Sequence, residues 1–394
     1  MELELILRTE APLALRATRT SEQFTATLTH IPGTTLRGAL AMEYLRAGGE
    51  PTDAHFAALF LTDAISFGPL FPSTEVHAGR PLPASAVACK RFGARHPASV
   101  GDALLRLELA CITQSLDPLD DWQYCPDCRK EYPDRPPNTR DRLSGYCLDG
   151  GDFHKLEPST RMLTGVGMSR ATGTAAHRLL FSMEALEEGQ WFRGRVRLHG
   201  DTTEELADRL TALAPSSSDL RLGAARSRGR GRLKVVGWRQ VEPKGPPLVD
   251  RWEALNASIR HLWADYGMEP DGEYFTLTME SPLVLRDGCL RPLRPDQLSA
   301  EALGLPAEIE RRHVLLGEVI LQGWNAAWRL PKGDAPAIGA GAVLLFRVPA
   351  DVREDVLARL AEMEAAGLGE RRNEGLGRVR ICDPFHYSFE EAAR

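Results

Sequence analysis

Two short stretches carry the side chains best suited to chemistry. The first, LGAARSRGRGRLKV from Leu222 to Val235, sets arginines at 226, 228, 230 and 232 among glycines at 223, 229 and 231, with no acidic residue. Guanidinium groups meet phosphate oxygens through planar, paired donors. Glycine lets a backbone turn through positive φ and approach another backbone or a ligand closely. Gly223, Arg226, Ser227, Arg228, Gly229, Arg230, Gly231 and Arg232 are therefore a candidate site for the backbone of RNA or DNA; the plainer alternative is a chain reversal with solvated arginines. A phosphate-cradling GxxxxGK[ST] loop is absent and the spacing is not that of a dinucleotide fingerprint, so ATP or NAD chemistry has no support.

The second stretch is YCPDCRKEY. Cys125 and Cys128 have the spacing that lets two thiolates reach one tetrahedral zinc. Cys147, in LSGYC, is a third ligand close by in the sequence, and Cys89 completes a structural zinc set, with His96 and His154 as alternatives for the fourth place. A thioredoxin-like redox pair would open a helix after a strand, whereas proline and charge around these cysteines read as loop. No catalytic set stands out: HExxH and GxSxG are absent and the ten histidines are dispersed. His30 and His177 are positions where a general base for RNA cleavage could sit, although a lone histidine is more often packed or solvated; no catalytic residue is expected.

What positions these groups is legible as a repeat. LGERRNEGLGRVRI, Leu368 to Ile381, aligns with the arginine stretch without a gap at an offset of 146 residues. It adds Arg372, Gly375, Gly377 and Arg378 to the candidate RNA-binding positions, diluted by Glu370 and Glu374. Amphipathic segments precede both loops, DTTEELADRL from Asp201 and DVREDVLARL from Asp351. The front ends match as well, TEAPLALR against MESPLVLR at an offset of 270, each after a period-two strand. In IPGTTLRGALAMEYLRAG, Thr34 or Thr35 can cap a first helix. The fold class expected is α+β, two tandem ferredoxin-like βαββαβ domains. The first spans 1–240 with a zinc-bearing insertion at about 80–170, then a Pro-rich linker region 241–269, then a second domain 270–394. The aromatic signature of a base-stacking ferredoxin-like sheet is missing, so RNA contact is expected through loops.

The bulk properties set limits. At 394 residues, 43% hydrophobic and 26% charged, the chain reads as an ordinary globular protein of two domains. Neither a long apolar run nor a secretory signal is visible, and seven irregularly spaced cysteines fit a reducing compartment. A cytoplasmic protein is expected. The net charge of −6 does not argue against a nucleic-acid partner, because a local basic patch decides that.

HIPGTTLRGALA, the two loops ending GRGR and GLGR, the ACK of Ala88 to Lys90, the C-x-x-C, the TGTA of Thr172 to Ala175 and QGWN from Gln322 together resemble the RAMP group of CRISPR systems. The likeness is greatest to a type III-D effector subunit of the double ferredoxin-like kind. It implies an RNA-binding subunit that holds the five-prime handle of crRNA, contacts the large palm-domain subunit and the backbone RAMP subunits, and meets target RNA only indirectly. It also implies that Arg37 and the first glycine-rich loop face RNA. The alternative is a metal-independent RAMP endoribonuclease that processes CRISPR precursor RNA.

Overall fold

The computed structural model describes residues 1–17, 24–150, 153–200, 203–242, 245–294, 297–325, 330–349 and 352–391, without the side chains of 175–179 and 390–391. In the first half the chain forms β1 (Glu2–Thr9), α1 (Gly33–Arg46), β2 (Ile65–Ser73), β3 (Trp191–Leu198), α2 (Thr203–Leu213) and β4 (Arg232–Val241). The strands lie antiparallel in the order β4-β1-β3-β2, with a short strand, Asp219–Arg221, added outside β4. In the second half it forms α3 (Leu248–Ala264), β5 (Glu273–Met279), β6 (Glu310–Leu315), β7 (Val343–Val348), α4 (Arg353–Ala366) and β8 (Val379–Ile381), and α5 (Phe385–Glu391) follows. Its strand order, β8-β5-β7-β6, repeats the first. This is the ferredoxin-like α+β arrangement formed twice.

Each core follows from its strand pattern. Leu3, Leu5 and Leu7 of β1 meet Leu36 and Leu40 of α1 and Leu206 and Leu210 of α2. Phe275, Leu277 and Met279 of β5 meet Val356, Leu360 and Met363 of α4. The intervening positions of β5, Tyr274, Thr276 and Thr278, are buried too, because other elements cover the opposite face.

The second core also takes in α3, within the 241–269 segment expected to be a linker. Its Trp252, Leu255, Ile259 and Trp263 belong to the second core, and Trp252 stacks on Phe275 at 5.8 Å. The amphipathic run in this segment makes it part of the domain it precedes. The first helix also differs from expectation: its N-cap is Pro32, not Thr34 or Thr35, and no side chain caps it. In the second half, a 3-10 turn at Glu301–Leu303 stands between β5 and β6, where the first half has α1.

The insertion occupies 74–190, between β2 and β3, and is wider than the 80–170 expected. Its helix Leu104–Thr113 sends Leu104, Leu105 and Leu109 into the core of the second half. A buried polar chain strengthens the tie: Ser85 Oγ donates to Asp102 Oδ2 at 2.5 Å, and the His386 ring bridges Asp102 Oδ2 and Thr278 Oγ1 at 2.9 Å each. The first half's insertion thus packs on the second half. Among the described residues, no helix is long and apolar enough to cross a membrane.

Candidate metal centre and nucleic-acid interface

Four buried side chains from the insertion converge. Cys89 ends the strand Ala86–Cys89, His96 precedes a 3-10 turn, Cys125 is the N-cap of the short helix Pro126–Glu131, and Cys128 lies in that helix. Their ligand atoms all lie within 4.8 Å of one another. Cys89 Sγ is 3.7 Å from Cys128 Sγ, and His96 Nδ1 is 3.3 Å from Cys125 Sγ and 3.6 Å from Cys128 Sγ. Metal–sulfur and metal–nitrogen bonds of about 2.3 and 2.0 Å in a tetrahedron separate neighbouring ligands by roughly 3.5–3.8 Å, so this set can hold a metal ion.

Surrounding groups orient it. Asn138 Nδ2 and the Cys128 amide donate to the sulfurs of Cys128 and Cys125, at 3.2 and 3.4 Å. Phe92 stacks on the His96 ring at 4.3 Å, and Glu131 lies 3.4 Å from its outer nitrogen, as a carboxylate behind a ligating histidine does. Burial pushes the Cys125 thiol up to about 12, so a bound cation is what would make it a thiolate at neutral pH.

Cys147, expected as a ligand, is not in this group. Its strand Tyr146–Leu148 pairs with Gly79–Pro81, and Cys147 lies in another cluster with Leu82, Leu143 and Phe385. His154 is exposed, and His96 takes the fourth place. The ladder between Ala86–Cys89 and Arg140–Arg142, together with the Cys125 amide on the Asn138 carbonyl at 2.8 Å, folds the distant Cys89 onto the C-x-x-C.

The two glycine-rich loops have one backbone. Ala225 and Arg371 both take a left-handed φ, 56° and 59°, ahead of 3-10 turns at Arg226–Arg228 and Arg372–Glu374. Gly231 and Gly377 donate to the carbonyls of Pro12 and Pro282, at 2.9 and 2.8 Å. A Cβ on Gly223 would lie 2.5 Å from the Ala14 carbonyl oxygen, and one on Gly369 would lie 2.2 Å from that of Val284. Here glycine is what lets each loop close on the strand-one bend.

The tips differ. Nothing lies within 4 Å of a Cβ built on Gly229, whereas one on Gly375 would lie 1.9 Å from the Phe67 carbonyl oxygen of β2. The second loop is docked on the first half. Ser66 Oγ donates to the Arg372 carbonyl at 2.7 Å, and Arg378 Nη2 donates to the Ser66 carbonyl at 2.8 Å. Arg372 also pairs with Asp63 at 3.2 Å. Glu374, buried here, accepts from Arg37, Lys332 and Arg371, and Arg37 also donates to the Phe60 carbonyl at 2.7 Å. Arg37 of α1, and Arg372, Gly375 and Arg378 of the second loop, all read as RNA-binding positions, are thus engaged with other parts of the chain, while Gly377 closes on its own loop as Gly231 does.

Burial alone would raise the Glu374 carboxyl, but Lys332 and Arg371 hold it below the ordinary carboxylate value. A depressed folded-state value stabilises above the unfolded one and is lost as pH falls through it. Glu374→Gln is therefore expected to cost about 2–3 kcal/mol at neutral pH. Thermal midpoints measured against pH should show the wild-type advantage shrinking below the usual carboxylate range.

The first loop is open. Arg226, Ser227, Arg228, Gly229 and Arg232 are exposed, and Arg230 is half-buried with Nη1 3.8 Å from Met183 Sδ. None of these four arginines pairs with a carboxylate among the described residues. Of the two histidines, His30 bonds the Tyr146 hydroxyl at 3.1 Å, and burial lowers it to about 4; the side chain of His177 lies outside the described residues.

A duplicated ferredoxin-like α+β protein, with three cysteines and a histidine clustered in its insertion and one open glycine-arginine loop, is the class these features define. Residues 119–234, a stretch that holds the C-x-x-C and the open loop, match the model of the RAMP superfamily. Among curated proteins none matches. Among solved structures, a chain of the type III-B Cmr-beta complex bound to cognate target RNA is similar at 13% identity over 96% of this chain and 99% of that one, with a TM-score of 0.44. Another, from Cmr-beta bound to cognate target RNA and AMPPnP, gives 13%, 91%, 93% and 0.43. A type IV-B CRISPR complex chain gives 11%, 63%, 94% and 0.32.

Proposed function

We propose that this chain is a non-catalytic RNA-binding and assembly subunit of a CRISPR effector ribonucleoprotein of the type III-D kind. It holds the five-prime handle of crRNA through the first glycine-rich loop. The observation that carries this reading is the asymmetry of the two loops: the first leaves its arginines without carboxylate partners among the described residues. On this reading its partners are crRNA, the large palm-domain subunit and the backbone RAMP subunits, with target RNA met indirectly. The two folding units are 1–240 and 270–394, α3 serving the second, and the metal is zinc, which suits three thiolates and an imidazole. Burial lowers the His30 imidazole to about 4, which makes it a weak base for cleavage.

The test is electrostatic. Changing Arg226, Arg228, Arg230 and Arg232 together to Ala should weaken handle-RNA binding at 50 mM salt by at least about 100-fold and reduce the salt slope by about 2–3. Unchanged affinity and slope would remove the loop assignment. Cutting of repeat RNA at one position, abolished by His30→Ala, would favour the endoribonuclease instead.

A further inference from the structure

Between the two halves lies a cavity of about 610 Å³, within the size range of small-molecule sites. Its walls come from β1, β2 and β3, the insertion, α3 and the segment before it, and α4 and β8. Most of its guanidinium groups have carboxylates: Arg193 pairs with Glu4, Arg251 with Glu364, and Arg80 and Arg380 with Asp149. Arg195, Arg197 and Arg378 have one carboxylate between the three of them. Glu2 alone serves the first two, at 2.7 and 2.6 Å.

Arg378 is 5% exposed. Its Nη2 is held by the Ser66 carbonyl, its Nε has no partner, and none of its nitrogens lies within ion-pairing distance of a carboxylate among the described residues. Arg195 Nη2 is likewise buried and unpartnered. A side chain on Gly68 would lie 2.4 Å from Arg378 Nη1, so the glycine in β2 is what admits the guanidinium. An unpaired buried cation is costly. Burial and the neighbouring Arg197 lower Arg378 to about 9, against the opposing charges of Glu2 and Glu280.

We infer that this cleft binds a phosphomonoester of nucleotide size, its phosphate gripped by Arg378 and Arg195 with Arg197 beside them. A phosphate dianion supplies the missing charge and matches the forked donors. The cavity has room beyond a phosphate for a nucleoside-sized body. None of the first loop's arginines lines it, so the site is independent of the RNA reading.

Isothermal titration of the full chain, free of RNA, tests this with three probes: AMP, inorganic phosphate and adenosine. AMP should bind once per chain, phosphate more weakly, and adenosine should give no heat. Arg378→Gln and Arg195→Gln should each weaken AMP by about 10–100-fold, while the four-arginine loop variant binds AMP as the wild type does. If Arg378→Gln fails to fold, Arg195→Gln and a saturable rise of about 2 °C in the wild-type thermal midpoint with AMP carry the test. No heat at millimolar AMP, AMP affinity unchanged in the foldable variants, or equal binding of adenosine would each overturn the inference.

Discussion

Gly375→Ala lowers the thermal midpoint by on the order of 10 °C, whereas Gly229→Ala, at the equivalent place in the other copy, lowers it by about 2 °C. Both glycines have positive φ, 79° and 77°, so alanine brings each a left-handed penalty of about 1 kcal/mol. Only at 375 does the new methyl meet a backbone oxygen 1.9 Å away, with the Phe67 carbonyl carbon at 2.6 Å and Gly68 Cα at 2.8 Å. These atoms belong to a strand held in a sheet and cannot turn aside as a side chain would. The junction between the halves must open, with a total cost of more than about 4 kcal/mol. Scanning calorimetry of the two variants side by side checks this, and equal shifts would mean that the second loop is not docked as described.

On the proposal that the cluster holds zinc, removing the metal is the second large perturbation. Cys125→Ser, or chelation of the wild type, is expected to abolish a one-to-one zinc content and expose the segment from about residue 90 to 140 to protease. Structural zinc sites supply roughly 10 kcal/mol of apparent binding free energy, and here the apolar cluster around Cys89, Cys125 and Cys128 adds, among the described residues, only Phe92. Cys147→Ser should leave zinc content at one per chain, and His96→Ala should reduce it. Metal analysis by mass spectrometry with limited proteolysis separates the two ligand sets. Retained zinc in His96→Ala together with loss in Cys147→Ser would restore the all-cysteine alternative.

The duplication was legible because it rests on local backbone demands. Positive φ and close approach can be met only by glycine at positions such as 223, 231, 369 and 377, and such demands leave the same letters in both copies. What the glycines touch is not local. Gly229 and Gly375 are the same letter in the same turn, and only the folded chain places β2 against one and open space against the other. Glu374 gave a clue in the right direction, since an acid among arginines fits an internal ion-pair hub better than a phosphate site. The metal set divides in the same way. The C-x-x-C is read from spacing, but Cys89 and His96 arrive through strand pairing across some 50 residues of chain. Nearness in sequence favoured Cys147, which the register of its own strand carries elsewhere. Nothing in the letters around Ser85, Asp102 or His386 announces their shared hydrogen bonds, and the fit of the insertion to the second half was not foreseeable from periodicity.

The contact between the halves joins unlike surfaces, a loop of the second to a strand and helix start of the first: Gly33 at the head of α1 lies against both the Phe67 and Glu374 carbonyls. A head-to-tail junction of this kind is not its own inverse. Where a self-complementary junction uses up both faces at once, this one satisfies the loop of one unit and leaves the loop of the other without its mate. The molecule is therefore polar along its repeat: two units in series, the loop of the second seated on the first, and the loop of the first, at Gly229, left open.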